Sequence, residues 1–360
     1  MIAAPQPQSR SSELSLDVVD TLESLREDWL RLAAESDNLF ATWEWTTTWW
    51  RCFGREGTQR IVSCRGSDGR LLAIIPLQRH VVHGLPILRF LGHGPGDQLG
   101  PVCAPRDRAR VANPLRRLLD DELTDWSLFL GEKLPGPEDW HTLLGASVLD
   151  RRATPVMRPA GGWDGFLASR SANFRQQVRR RERNVFRRHE AQYRLVTRSD
   201  RLQSELDVLF RLHRRRWGRE LTGFTRYEGF HRQFAELAQE RGWLRLWFLE
   251  FGKEPVAAWY GFRFANVEYY YQAGRDPHVQ EATGFVLLSH TMRVAIEDGV
   301  REYRLLEGDE AYKYRFATED LGLQTVGFAR GLAGRLAFLA GAASLRSNRT
   351  AKLARRTLAI

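Results

Sequence analysis

The chain has 360 residues, 43% hydrophobic and 11% aromatic, enough apolar material for two ordinary domains and too much for a disordered chain. Its formal charge of +10 is local: residues 170–194 hold nine arginines against Glu182 and Glu190, residues 331–360 hold six cations and no acid, and the remainder carries −3. Cys52, Cys64 and Cys103 are scattered, and His80 and His83 lack a third ligand, so neither a disulfide framework nor a metal site is expected.

Residues 1–13 are polar and rich in Pro and Ser, the composition of a disordered lead-in without the apolar stretch of a signal peptide. No run of about 20 apolar residues is present to span a membrane, and a reduced, cytoplasmic protein is expected. LSLDVV reads as a strand, Leu22, Leu25, Trp29 and Leu32 as a helical face, and Trp43–Phe53 as a Trp-rich helix. Strand-like runs follow at Arg60–Arg65, Leu71–Arg79 and Ile87–Leu91, the first two joined by a turn at Gly66–Gly69. The glycine-rich loop GHGPGDQLGP leads to a helix near Asp107–Asp121, a strand Trp126–Leu130 and a helix near Pro137–Gly145. Residues 158–166 (RPAGGWDGF) have linker composition.

The order then repeats. Leu202, Leu206, Leu209, His213 and Trp217 mark one helix; Phe230, Phe234 and Leu237 mark another, stopped near Gly242. Trp243–Phe251, Val256–Ala265 and Glu268–Ala273 are rich in aromatic and β-branched residues, as strands prefer. After a loop at 274–283, Phe285, Leu288, Met292 and Ile296 share a helical face that ends at Gly299. Strand Glu302–Leu306, helix Ala311–Thr318 and strand Gln324–Ala329 complete the unit. The predicted fold is α/β (α+β): two tandem units, over 14–160 and 161–330, each a mixed, mostly antiparallel sheet flanked by helices, with a basic tail at 331–360.

A strand running through a loop into a helix carries the most chemistry. A helix starting near Thr283–Gly284 aims unpaired N–H groups and a dipole at an anion such as a pyrophosphate. Thr283 is placed to cap it and Gly284 to admit a ligand closely. If the next strand splays from the first, a pantetheine arm fits between them. The same order also serves as a plain sheet connection.

RSANFRQQVRRRERNV, FRLHRRRWG, GWLRLWFLE, PVAAWYGFRF, YYYQAGRDP and LLEGDEAYKYRFA resemble the CelD/BcsL family, GNAT proteins linked to bacterial cellulose and polysaccharide biosynthesis. The resemblance covers about Phe166–Ala317 and, more faintly, FATWEWTTTWW and LGHGPGDQLGP. The tandem units are also similar to Fem-type peptidoglycan aminoacyltransferases. The resemblance implies an acyl-CoA-dependent N- or O-acyltransferase with acetyl-CoA as donor, no metal, and a carbohydrate or nucleotide-linked acceptor. Gln272, Ala273, Gly274, Thr283, Gly284 and Phe285 would hold the donor. Of the usual Gln/Arg-x-x-Gly-x-Gly/Ala signature, only Gly284 is in place. An aminoacyl-tRNA donor and a non-catalytic polyanion-binding scaffold stay open.

Such transfer needs a base for the acceptor, donors for the tetrahedral intermediate and an acid for the leaving thiolate. Asp309 is the first expected base and Glu307 the second, both beside Gly308 at a strand end. Tyr271 or Tyr312 is the expected acid. Lys313, one turn beyond Asp309, is placed to bind an anionic substrate or keep Asp309 ionised; a helix cap with its ion pair explains both residues equally. Asp97, in the glycine-rich loop, is expected to line an acceptor cleft between the units. Leu167, Phe174, Val178 and Val185 form one helical stripe, leaving Arg175 and Arg179 to grip phosphates. Leu336, Phe338, Leu339 and Leu345, mixed with six cations, suit an anionic membrane surface or a docked helix with a frayed tail. Sequence-specific DNA reading has no motif here.

Overall fold

The computed structural model describes residues 14–19, 22–218 and 222–346. The expected lead-in at 1–13 and the tail at 347–360 lie outside the described residues.

The strands are β1 (Ser15–Val19), β2 (Gly57–Arg65), β3 (Leu71–Val82), β4 (Leu85–Phe90), β5 (Val102–Cys103), β6 (Leu128–Pro135), β7 (Ser147–Arg152), β8 (Pro155–Met157), β9 (Ala191–Leu195), β10 (Leu244–Phe251), β11 (Glu254–Phe264), β12 (Val267–Arg275), β13 (Glu302–Arg304), β14 (Glu319–Asp320) and β15 (Leu323–Ala329). The helices are α1 (Arg26–Ser36), α2 (Trp43–Phe53), α3 (Arg108–Arg117), α4 (Trp140–Leu143), α5 (Gly162–Ala168), α6 (Ala172–Arg188), α7 (Leu202–Trp217), α8 (Gly223–Arg226), α9 (Glu228–Glu240), α10 (Thr283–Glu297), α11 (Ala311–Tyr314) and α12 (Gly331–Arg346).

Two mixed, mostly antiparallel sheets flanked by helices result, as the sequence predicts. The first runs β1-β2-β3-β4-β6-β15-β7 with β5 on β3; the second runs β14-β8-β13-β12-β11-β10-β9. Each contains one parallel pair at the same place in its order, β4 with β6 and β12 with β13. The sheets do not divide at 160/161. β15 inserts between β6 and β7 of the first sheet, and β8 inserts between β13 and β14 of the second. Both insertions satisfy the far edge of a strand whose other edge is already paired; left open, that edge would bury unpaired backbone groups.

Local differences have local causes. The arginine-rich stripe is two helices, because the chain breaks at Ser169–Ser171 and the Ser171 hydroxyl accepts from the Phe174 N–H to start α6. Leu167 is buried on α5; Phe174, Val178 and Val185 form the buried face of α6. The helix expected over Ala311–Thr318 stops after one turn, because the Thr318 N–H turns to the Val156 carbonyl and Glu319–Asp320 joins β8.

The largest core is shared by both halves. Trp45 of α2 packs edge-on against Phe230 and Phe234 of α9 at 4.8 and 4.7 Å between centroids. Arg304 of β13 reaches across to the Asp37 carbonyl (3.1 Å) and the Gln98 side chain (2.7 Å). Burial of this joint apolar surface locks the halves together. At the far end α12 docks through Gly334, where a Cβ would stand 2.1 Å from the Ser127 carbonyl oxygen, and leaves Leu332, Leu336 and Leu339 at 76%, 60% and 64% exposure. No helix among the described residues is long and apolar enough to cross a membrane.

Candidate functional site

The parallel pairing of β12 and β13 covers only Val267–Tyr269 against Glu302–Arg304. Beyond Tyr269 the strands part. On its other edge β12 carries a bulge: Tyr260 faces Gln272 and Gly261 faces Tyr270, so Tyr271 is the extra residue. The slip in phase puts Tyr270 and Ala273, three apart, on one face, against the core of α10. Tyr271 and Gln272 instead both line the opposite side. Gly274 admits α7 against the strand; a Cβ there would lie 2.6 Å from the His213 N.

Two cavities meet at the split. One, of about 500 Å³, lies on the α10 side and is lined by Ala273, Gly284 and Phe285 together with Arg181, Arg275 and Arg315. Arg181 and Arg315 stand 4.6 and 5.2 Å over the Phe285 ring. Glu281, the acid in the lining, is occupied by His189 at 2.9 Å. The Gly284 and Phe285 N–H groups have no partner among the described residues. Free amides, a helix dipole and several guanidiniums give this cavity the chemistry that suits an anion. Thr283 is not the cap: that position is Ala282, and the Thr283 hydroxyl is fully buried without a partner.

The other cavity, of about 440 Å³, lies between the halves and is lined by Asp97, Tyr271, Gln272, Glu307, Glu310 and Lys313, among others. Tyr270, Tyr312 and Arg216 line both cavities. The Tyr312 and Tyr270 hydroxyls stand 3.5 Å apart. Burial drives both phenols upward, and for Tyr312 the neighbouring Tyr270 and the charge of Glu310 add to it. Tyr312 therefore stays protonated at neutral pH. Tyr271, the other expected acid, is spent on a 2.7 Å hydrogen bond to the Pro95 carbonyl. The Ala273 N–H is held at 3.0 Å by the Gln272 side-chain oxygen.

An ion cluster joins the halves beneath this cavity. Lys133 lies 3.2 Å from Asp97 and 2.9 Å from Glu307, and Arg152 also pairs with Glu307. Asp97 accepts the Glu307 N–H at 2.6 Å. Burial opposes ionisation of Glu307, yet Lys133 and Arg152 outweigh it and hold its carboxyl down to about 2. Asp97, more deeply enclosed, is raised by burial despite Lys133. Lys133 and Leu306 both take left-handed backbone conformations, φ 52° and 57°. Strain in non-glycine residues at such a place points to a functional constraint.

Several expected roles change. Asp309 is exposed, lines neither cavity and caps nothing; Gly308, at φ 133°, turns the chain outward there, and the cap position of α11 is Glu310. Glu307 is doubly ion-paired and unsuited to act as a base. Lys313 is buried and does not pair with Asp309: it binds the Glu307 carbonyl at 2.6 Å and Glu310 at 3.1 Å. Arg175 staples the α5–α6 turn through the Arg170 carbonyl, and exposed Arg179 lines neither cavity. Arg181, on the same helix, lines the cavity beside Gly284 instead. Its signal was in the sequence: it falls three residues after Val178 and four before Val185, on the stripe that docks α6. Arg216, Arg315, Tyr270, Lys133 and Glu310 had no comparable signal. Asp97 does line the cavity between the halves, and among the described residues no group of three His, Cys, Asp or Glu is placed to hold a metal.

The chain resembles known structures across most of its length. FemX superposes with a TM-score of 0.63 at 10% identity, covering 87% of this chain and 98% of FemX. L-PGS from Bacillus licheniformis gives 0.55 at 12% identity over 87% and 95%. A conserved protein of unknown function from Bacteroides thetaiotaomicron gives 0.56 at 11% identity over 87% and 100%. At these identities the likeness is one of fold. No curated protein matches the chain. Residues 172–314, which hold the parted strands β12 and β13, match the model of the acetyltransferase (GNAT) domain, so this stretch is similar to a GNAT-type transferase domain.

Proposed function

We propose that this protein is an acyl-CoA-dependent acyltransferase that moves an acyl group, acetyl in the simplest case, to a hydroxyl or amine of a polysaccharide or its precursor. The observation that carries this reading is the meeting of an arginine-lined cavity at a helix N-terminus with a second cavity across the Tyr270–Tyr312 pair. The diphosphate of the donor sits on the Gly284 and Phe285 amides under Arg181 and Arg315, and the pantetheine runs between β12 and β13. The Gln272 side chain swings off the Ala273 N–H, which then receives the thioester oxygen.

The acceptor enters the cavity between the halves. Its oxygen or nitrogen attacks the thioester carbon and forms the new C–O or C–N bond as its proton passes to Glu310. The tetrahedral intermediate collapses, the C–S bond breaks, and the thiolate takes a proton from Tyr312. Asp97 and Lys133 fix the loops around this cavity. The resemblance of its motifs to those of CelD/BcsL proteins supports a carbohydrate acceptor. The exposed leucines of α12, ahead of a cationic segment, support attachment to the anionic inner face of a membrane, with the protein on the cytoplasmic side.

Calorimetry with acetyl-CoA tests the donor. We expect a Kd below about 100 μM, kept in Gly284→Ala, because a Cβ there comes only within 3.7 Å of the Arg275 side chain, and lost in Gly284→Trp, whose indole fills the cavity. Absence of binding to the unaltered protein, with transfer that depends on charged tRNA, overturns the acyl-CoA reading in favour of an aminoacyl-tRNA donor.

A further inference from the structure

Behind Tyr227 the acceptor cavity adjoins another hollow, of about 400 Å³, and Tyr227 lines both. Its walls are aromatic. Trp49 and Phe53 of α2 stand 5.8 Å apart, Phe53 and Tyr227 5.4 Å, and Trp49 and His93 4.7 Å, all between ring centroids. Gln78 and His80 of β3 complete the lining on one side, and Arg55 and Arg226 are its exposed members. Among the described residues no carboxylate lines it.

One group there is left unsatisfied. Gln78 is only 3% exposed, and its side-chain oxygen has no hydrogen-bond partner. Buried polar groups are almost always paired, and an orphan asks for an explanation. Gly57 lies directly over it: a Cβ at that position would stand 2.7 Å from the Gln78 oxygen. The glycine thus keeps open the space in front of the amide. Flat apolar faces and an unpaired amide oxygen suit a ring that is apolar on its faces and polar at its edge. The volume is that of a small-molecule site. The two guanidiniums at its rim favour a negative charge.

We infer that this hollow is a glycosyl subsite for a pyranose ring bearing a carboxylate or phosphate, a part of the acceptor remote from the reacting atom. The inference rests on the proposed acyl transfer only in making that ring part of an acceptor. The C–H faces of the sugar pack on Phe53 and Tyr227, its hydroxyls bond the Gln78 amide, and Arg226 meets its anionic group.

The test uses the full chain without donor. Tryptophan fluorescence follows titration with glucose 1-phosphate, glucuronic acid, glucose and UMP. We expect saturable binding of at least one anionic sugar, with glucose about tenfold weaker. Gln78→Leu lowers the affinity for the anionic sugar by about tenfold, as loss of a hydrogen bond to a buried group predicts. Arg226→Ala, at an exposed position, brings the anionic sugar to the level of glucose. Circular dichroism and acetyl-CoA affinity stay unchanged in both variants. Failure of both anionic sugars to bind, binding indifferent to both substitutions, or tighter binding of UMP with the same dependence on Gln78 overturns the subsite. Each of these leaves the donor reading untouched if acetyl-CoA still binds. Sugar binding without acetyl-CoA binding supports the subsite and removes the acyl-CoA reading alone.

Discussion

Replacing Lys133 by Met isolates the charge cluster that ties the two halves. Lys133 serves Asp97 at 3.2 Å and Glu307 at 2.9 Å, and its side chain is only 20% exposed. Removing one partner of a buried ion pair costs about 3–5 kcal/mol. Glu307 keeps Arg152, so the loss falls mainly on Asp97, which retains the Glu307 N–H. Partial exposure places the cost near the lower end, about 3 kcal/mol. The double variant Lys133→Met with Asp97→Asn removes the stranded charge as well, so equilibrium urea denaturation should show it more stable than the sum of the single losses by about 1.5 kcal/mol. The pH dependence has a definite sign. Burial raises Asp97 in the folded protein, so the charge penalty is present above its folded pKa and fades as the pH falls through it. The deficit of Lys133→Met should therefore shrink as the pH is lowered towards the acid range. Additive losses, or a deficit constant with pH, contradict the buried-charge account.

Steady-state kinetics separate the carboxylates and phenols of the acceptor side. Tyr312→Phe and Glu310→Gln should each lower kcat by about 100-fold, the usual scale of general acid–base catalysis, with acetyl-CoA affinity retained, while Asp309→Asn stays close to the unaltered protein; a large loss in Asp309→Asn returns the base to that residue. Arg181→Ala and Arg315→Ala should each weaken acetyl-CoA binding by about tenfold in calorimetry, a single charge-assisted contact apiece, and unchanged affinity in both moves the diphosphate elsewhere. Co-sedimentation with phosphatidylglycerol vesicles should be lost when Leu332, Leu336 and Leu339 are all changed to Asp; binding that survives assigns any attachment to another surface.

The fold was legible where apolar periodicity was long and one-sided. The α10 face of Leu288, Met292 and Ile296 and the three aromatic strands of the second sheet lie where their spacing put them. β7 (SVLDRR) and β9 (AQYRL) escaped because they are edge strands: one side meets no neighbour, so polar residues are tolerated and alternation fades. β8 is only three residues long, too short for any period. The cavity at the start of α10 was readable because a helix start is written locally, and Gly284 and Phe285, which line it, follow from it. The cavity between the halves was not, since Asp97 and Glu307 lie in loops and Lys133 on β6 of the other sheet, 174 residues before Glu307, and only packing of one half on the other brings them together. Asp309 was misplaced for a smaller reason: Leu306 and Gly308 both leave the right-handed half of backbone space, and a count of residues past a strand end cannot anticipate two such turns.

The interlocked strands also govern how the molecule is made. β6 and β7 acquire the partner that lies between them only when residues 323–329 exist, so the first sheet waits for the chain through residue 329 to leave the ribosome. Vectorial, domain-by-domain maturation is closed to this protein. A fragment of residues 161–330 expressed alone would lack β8, leave β15 without its sheet, and expose two raw edges to pairing with other chains.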